Sequence, residues 1–190
     1  TSNAPLRGFK GMLYEGGIRE PMIVRWPGHV KPGSKCDQAV IGIDFYPTLL
    51  ELAGAPAPAG QELDGMSIVG LMTGSQKLAP RAIYWHFPCY LEGATPTGWR
   101  TTPAGAVQMG DYKLIEFFED GHCELYNIVE DIGETKDLAA SMPDKARELH
   151  DELVAWRKRV SAPVPTEKNP AYDPEAAAKG KKAGKKSQGQ

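Results

Sequence analysis

Glycine and proline punctuate this chain so densely that long uninterrupted elements are excluded over most of it: 21 glycines and 16 prolines occupy 37 of 190 positions. Proline fixes φ and removes an amide donor, while glycine favours turns. The sequence therefore predicts short elements joined by many loops and argues against an all-helical bundle. The remaining composition is that of a folded protein. With 41% hydrophobic and 24% charged residues the chain can bury a core and lacks the signature of general disorder, and its length suits one ordinary domain.

The formal charge of -2 is a composite. Residues Glu175–Gln190 hold five lysines and one glutamate, net +4, so the preceding residues carry -6. No overall field marks nucleic acid or a membrane as partner. No run approaches the roughly 18 to 20 apolar residues of a membrane helix, and no charged segment followed by an apolar one opens the chain. Starting at Thr1 and entering a glycine-rich motif at once, the sequence reads as the back part of something longer. Cys36, Cys89 and Cys123 form no C-x-x-C pair, so neither a disulfide framework nor a zinc site is indicated. Free thiols are the plainer reading, with one disulfide as the alternative.

Two patterns divide the chain. Before residue 80, Pro21-Met-Ile-Val-Arg-Trp-Pro27 predicts a buried strand bounded by prolines. The run from Asp44 to Gly54 predicts a helix capped by Asp44, with Pro47 in its first turn and Gly54 as its stop. Leu63–Met72 predicts a short helix ending before Gly74. These pieces belong to an α/β layer. From Ala82 the pattern turns to aromatic and β-branched runs at 83–86, 106–109, 112–118 and 124–127, separated by Gly110-Asp111 and Asp120-Gly121. They predict a small antiparallel sheet. Ser141-Met-Pro-Asp144 resembles a capping box, and Ala146, Leu149, Leu153, Trp156 and Val160 follow at alternating three and four spacing, predicting a helix laid on the sheet. The resulting division is 1–80 for the α/β part, 81–162 for the antiparallel subdomain, 163–174 for a proline-rich extension and 175–190 for a disordered basic tail.

The segment richest in chemistry is Gly8-Phe-Lys-Gly-Met-Leu-Tyr-Glu-Gly-Gly-Ile-Arg-Glu-Pro21. Glycines on both sides of Lys10 allow a ligand to approach the backbone closely, and the lysine ammonium offers three donors to a tetrahedral oxyanion such as sulfate or phosphate. Tyr14, Glu15 and Arg19 complete a polar loop. The competing reading leaves Lys10 and Arg19 solvated or held in a structural salt bridge.

This segment, followed by Val24-Arg-Trp-Pro-Gly28, Asp44-Phe-Tyr-Pro-Thr48, Leu63-Asp-Gly-Met-Ser67, Tyr84-Trp-His-Phe-Pro88, Gly110-Asp-Tyr-Lys-Leu114 and Glu124–Glu134, resembles the later part of the sulfatase family, near its bacterial arylsulfatase-like members. The resemblance implies an alkaline-phosphatase-like α/β fold, with 1–80 as the end of the catalytic domain and 81–162 as its C-terminal subdomain. It also implies hydrolysis of a sulfate ester of a small molecule or polysaccharide, in a periplasmic or extracellular protein. The family's nucleophile is a formylglycine hydrate made in a Cys/Ser-x-Pro/Ala-x-Arg signature, beside a calcium site of Asp with Asn or Gln. Lys10 matches the family lysine that holds a sulfate oxygen. None of the three cysteines stands in the signature, so the nucleophile and the Ca2+ ligands are expected upstream and this chain alone is expected to be inactive. The alternatives are a phosphodiesterase or phosphonate hydrolase of the same superfamily, or a non-catalytic glycan-binding module.

His86, in Tyr-Trp-His, is the second site residue implied, as a substrate contact at the pocket mouth; a satisfied histidine in an aromatic strand is the competing reading. Cys89 stands where relatives often carry another histidine. His29, His122 and His150 read as structural or solvated. Asp111, Glu116, Glu119 and Asp120 mark the wet side and turn of a hairpin more simply than an acid/base pair. Tyr84, Trp85, Phe87 and Trp99 have the rings for a sugar platform, though core packing is their commoner use. The lysine-rich tail lacks the aromatic interleaving of a nucleic-acid binder.

Overall fold

The computed structural model describes residues 2–93, 98–167 and 170. Before Ala82 the regular elements are helical: α1 (Glu15–Ile18), α2 (Phe45–Leu52), entered through a 3-10 turn at Gly42–Asp44, and α3 (Val69–Thr73). Both predicted glycine stops hold, since Gly54 and Gly74 follow α2 and α3 with φ of 64° and 74°.

The predicted strand at Pro21–Pro27 does not form. Its residues belong to no strand, and Ile23 is 94% exposed. A strand needs a hydrogen-bonded neighbour, and none of the described strands reaches this segment. Asp44 is likewise not the N-cap of α2 by its side chain. Its carboxylate accepts the amides of Ile41 at 2.8 Å and Met66 at 2.9 Å, and Arg81 grips both of its oxygens. Gly65 makes this possible, because a Cβ there would stand 2.1 Å from the Ile43 carbonyl oxygen. Phe45, Leu49 and Leu52 share one face of α2, and all three are exposed.

After Ala82 the predicted alternation becomes a four-stranded antiparallel sheet of β1 (Ala82–Phe87), β4 (Ala104–Met109), β5 (Tyr112–Phe117) and β6 (Cys123–Asn127), in that spatial order. Between its first two strands the chain makes a separate hairpin of β2 (Leu91–Glu92) and β3 (Trp99–Thr101). Gly110, at φ 60°, turns β4 into β5. The register aligns Tyr84, Val107, Leu114 and Leu125 across all four strands. These residues face α4 (Pro143–Arg159), whose Leu149 and Leu153 are fully buried against them. Each such leucine contributes about 1.5 to 3 kcal/mol of apolar burial.

The capping box expected before α4 is absent, because the Ser141 hydroxyl donates to the Leu138 carbonyl and Pro143 opens the first turn instead. Val160, expected on the helix's apolar face, lies beyond its last residue and is 47% exposed. The other sheet face carries Ala104, Ala106, Ile115 and Tyr126, and here Leu13 and Tyr14 of the glycine-rich segment are the cover. Among the described residues no helix is long and apolar enough to cross a membrane. The tail at 175–190 lies outside the described residues.

Candidate functional site

The glycine-rich segment is folded back on itself by short backbone contacts. Gly16 donates to the Arg7 carbonyl at 2.7 Å, Gly17 to Tyr14 at 2.8 Å and Met12 to Phe9 at 3.0 Å. A Cβ at Gly16 would stand 2.4 Å from the Gly8 carbonyl oxygen, and one at Gly17 would stand 2.1 Å from that of Met12. Both positions thus require glycine, since a backbone oxygen cannot be displaced cheaply. The fold leaves a cavity of about 320 Å³ whose lining includes Asn3, Lys10, Gly16, Gly17, Arg19 and Glu20.

Lys10 is exposed, and no carboxylate among the described residues pairs with its ammonium. Its backbone is held from outside the loop: Arg100 of β3 donates to the Lys10 carbonyl at 3.2 Å and lies over the Phe9 ring. Arg19, the second cation of the cavity, is half-exposed and donates to Glu15 at 3.1 Å.

Behind the cavity lies a buried ionic cluster. The Lys113 ammonium of β5 donates to Glu15 at 3.0 Å and to Glu134 at 2.9 Å, and all three side chains are almost inaccessible. The other Glu134 oxygen accepts the Glu15 amide at 2.7 Å. Burial pushes the Glu134 carboxyl above its ordinary value, against the pull of Lys113 and of that amide. Beside the cluster, Arg7 lies 3.9 Å over the Tyr14 ring and donates to the Tyr126 hydroxyl and the Glu134 carbonyl. Tyr14 and Tyr126 both donate to Glu124, at 2.7 and 2.8 Å. Burial, then the Glu124 carboxylate, raises both phenols well above their usual range, so both remain donors.

His86 is not brought to this cavity. It shares the α4 face of the sheet with Tyr84, on the side opposite the Lys10 segment. Its ring lies against Trp156 and Phe118, with Nε2 2.8 Å from the Pro163 carbonyl oxygen and Nδ1 buried without a hydrogen-bond partner among the described residues. The other histidines have partners elsewhere: His29 stacks on Trp26, His122 meets Asp120, and His150 of α4 meets Glu116 of β5. Glu116 also takes Arg157, and Glu119 accepts the Tyr90 hydroxyl, so the hairpin carboxylates form no acid/base pair. Tyr84 stacks on Trp156 while Trp85 packs on the opposite face, so these two rings do not share one platform. The three cysteines are free thiols. Among the described residues no group of three or more His, Cys, Asp or Glu side chains is placed to hold a metal ion; the resemblance places the Ca2+ ligands upstream of these residues.

Sequence reasoning singled out Lys10, Glu15 and Arg19 but missed Lys113 and Glu134. One signal existed for Lys113: strand alternation puts it on the same face as Ile115 and Phe117, where a lysine must find carboxylate partners. Glu134, in an irregular loop at φ 51°, offered none.

Comparison with known proteins gives this arrangement its relatives. Residues 9–159 match the family model described as N-sulphoglucosamine sulphohydrolase, C-terminal. The chain is 39% identical to a sulfatase of Formosa agariphila over 179 residues, covering 86% of this chain and 31% of that protein. It is 40% identical to human arylsulfatase A over 116 residues, 61% of this chain and 21% of that one. Among solved structures, Ps i-CgsB in complex with k-i-k-neocarrahexaose shares 29% identity at a TM-score of 0.65, over 82% of this chain and 32% of that one. The chain thus spans about a third or less of the length of the relatives it matches.

Proposed function

The chain belongs to the sulfatase family, whose C-terminal portion it matches, and from that premise we propose that it supplies Lys10 to the site that holds the sulfate group of an ester undergoing hydrolysis. The observation that carries this reading is the cavity where Lys10 and Arg19 stand together, with the Lys10 ammonium free of any described carboxylate. A compact ammonium with three donors suits a tetrahedral oxyanion, and a cation fixed where negative charge develops lowers the barrier to sulfuryl transfer. Net charge does not serve this purpose, because the body of the chain is acidic.

The protein's own contribution is binding and orientation. The double-glycine turn holds the backbone around the cavity, and Arg100 holds the Lys10 carbonyl from outside the loop. The formylglycine nucleophile and Ca2+ of sulfatase chemistry belong to the whole enzyme in this proposal. His86 faces α4, so the anion site is proposed on Lys10 without it. A sulfated carbohydrate is the proposed substrate class, supported by the N-sulphoglucosamine sulphohydrolase model and by the carbohydrate complex of Ps i-CgsB.

Titrating the chain with sodium sulfate while following the Gly8, Lys10 and Gly11 amides by NMR tests the reading. Saturable shifts that vanish in Lys10→Ala are expected. Identical shifts in that variant would remove Lys10 from the site.

A further inference from the structure

The buried cluster behind the cavity and the cavity itself are joined through one carboxylate. Glu15 gives Oε1 to Lys113 at 3.0 Å and Oε2 to Arg19 at 3.1 Å, while Lys113 is braced from the other side by Glu134 at 2.9 Å. Glu134–Lys113–Glu15–Arg19 is therefore a continuous line of alternating charge running from the sheet to the cavity wall. Only Arg19 reaches solvent.

We propose that Lys113 is a positioning residue for the anion site: it fixes the Glu15 carboxylate, Glu15 fixes the Arg19 guanidinium, and Arg19 is the second cation met by an oxyanion that Lys10 holds. The inference rests on the reading of Lys10 above. Three features support it. First, an exposed arginine samples many rotamers, and ordering it on binding weakens affinity unless a partner has ordered it already. Glu15 is that partner, and it cannot swing away because Lys113 and the protein interior surround its other oxygen. Second, two buried carboxylates around one ammonium leave an excess negative charge that Arg19 balances at the cavity wall. Third, the same cluster sets the start of α1, since Glu134 also accepts the Glu15 amide at 2.7 Å, and Gly16 and Gly17, next in the chain, line the cavity. Burying a pair of ions is a poor way to gain stability compared with apolar packing, so a role in geometry accounts better for this cluster.

The test uses the whole chain and inorganic sulfate as probe. Sulfate affinity is measured by NMR in wild type, Lys10→Ala, Arg19→Gln, Glu15→Gln, Lys113→Arg and the double variant Lys113→Met/Glu134→Gln, which removes one charge of each sign. The β5 and β6 amides report folding, and the Arg19 Nε–H signal reports the order of the guanidinium. Positioning predicts about tenfold weaker binding in Glu15→Gln and in the double variant, with sheet amides in place and the Arg19 signal averaged by motion. It also predicts that Lys113→Arg keeps most of the affinity, and that Glu15→Gln adds little once Arg19→Gln is present. If the double variant does not fold, Glu15→Gln and Arg19→Gln decide alone, since both leave the Lys113–Glu134 pair intact. Affinity within twofold of wild type in folded Glu15→Gln overturns the positioning role while leaving Lys10 in its site. No sulfate response in wild type, or an equal response in Lys10→Ala, overturns both.

Discussion

Glu15 of α1 and Lys113 of β5 are 98 positions apart in the chain and meet at 3.0 Å inside it. Their contact ties the glycine-rich segment to the sheet face that carries Ala104, Ala106, Ile115 and Tyr126, so the loop that shapes the cavity depends on residues about a hundred positions later.

Removing only the cation should be costly. Lys113→Met leaves Glu15 and Glu134 buried with no ammonium between them, and breaking a buried ionic contact in this way costs about 3 to 5 kcal/mol. Urea denaturation at pH 7 is expected to show that loss, and the triple variant Glu15→Gln/Lys113→Met/Glu134→Gln should recover most of it. Equal losses in the two proteins would mean that the charges are not coupled.

The second buried ionic contact makes the α2 region acid-sensitive. Burial works to raise the Asp44 carboxyl, but the Arg81 guanidinium and the amides of Met66 and Ile41 outweigh it and hold the group below its ordinary value. A lowered folded pKa stabilises the protein above the unfolded value, about 3.9 for aspartate, and that contribution disappears as pH falls through the folded one. Asp44→Asn should therefore cost about 3 kcal/mol at pH 7, and the difference from wild type should shrink progressively below pH 4. A constant difference from pH 7 to pH 2 would contradict the assignment.

What could be read in advance follows from how local its causes are. Strand alternation and hairpin turns are encoded within a few residues, so β1, β4, β5 and β6 were legible, as was the Leu149–Leu153 face of α4. Pro21–Pro27 looked like a strand for the same local reasons, yet a strand is completed by a partner, and none of the described strands pairs with it. Ser141 and Asp44 have the side chains of helix caps, but each is engaged elsewhere, by Leu138 and by Arg81. The Lys10 cavity was legible as a motif because its glycines are contiguous with the lysine. Its support by Lys113, Glu134 and Arg100 was not, because those contacts span 21 to 119 positions.

Thiol chemistry offers a check on the α4 face of the sheet. Cys36 and Cys89 are exposed, whereas burial, followed by the nearby Glu116 carboxylate, pushes the Cys123 thiol up to about 11. Only the thiolate attacks a disulfide reagent, so at pH 8 two thiols should react quickly with Ellman's reagent and Cys123 slowly. Cys123→Ser should leave the fast phase untouched. Three thiols reacting at one rate in the folded chain would show that the β6 edge is open.

Sulfate binding and sulfate-ester turnover should separate in this chain. Binding needs fixed cations, the role proposed for Lys10 and Arg19, which both line the cavity. Turnover by sulfatase chemistry also needs an activated nucleophile, and the sequence around Cys36, Cys89 and Cys123 has no Cys-x-Pro/Ala-x-Arg arrangement. The described residues likewise place no cluster of carboxylates and histidines able to hold calcium beside the cavity. An aryl sulfate incubated with the purified chain and calcium should release phenol no faster than buffer does, even where sulfate saturates the Lys10 amide shifts. Release at the rate of a complete sulfatase would place the nucleophile within these 190 residues, and Lys10→Ala would then show whether the same cavity serves it.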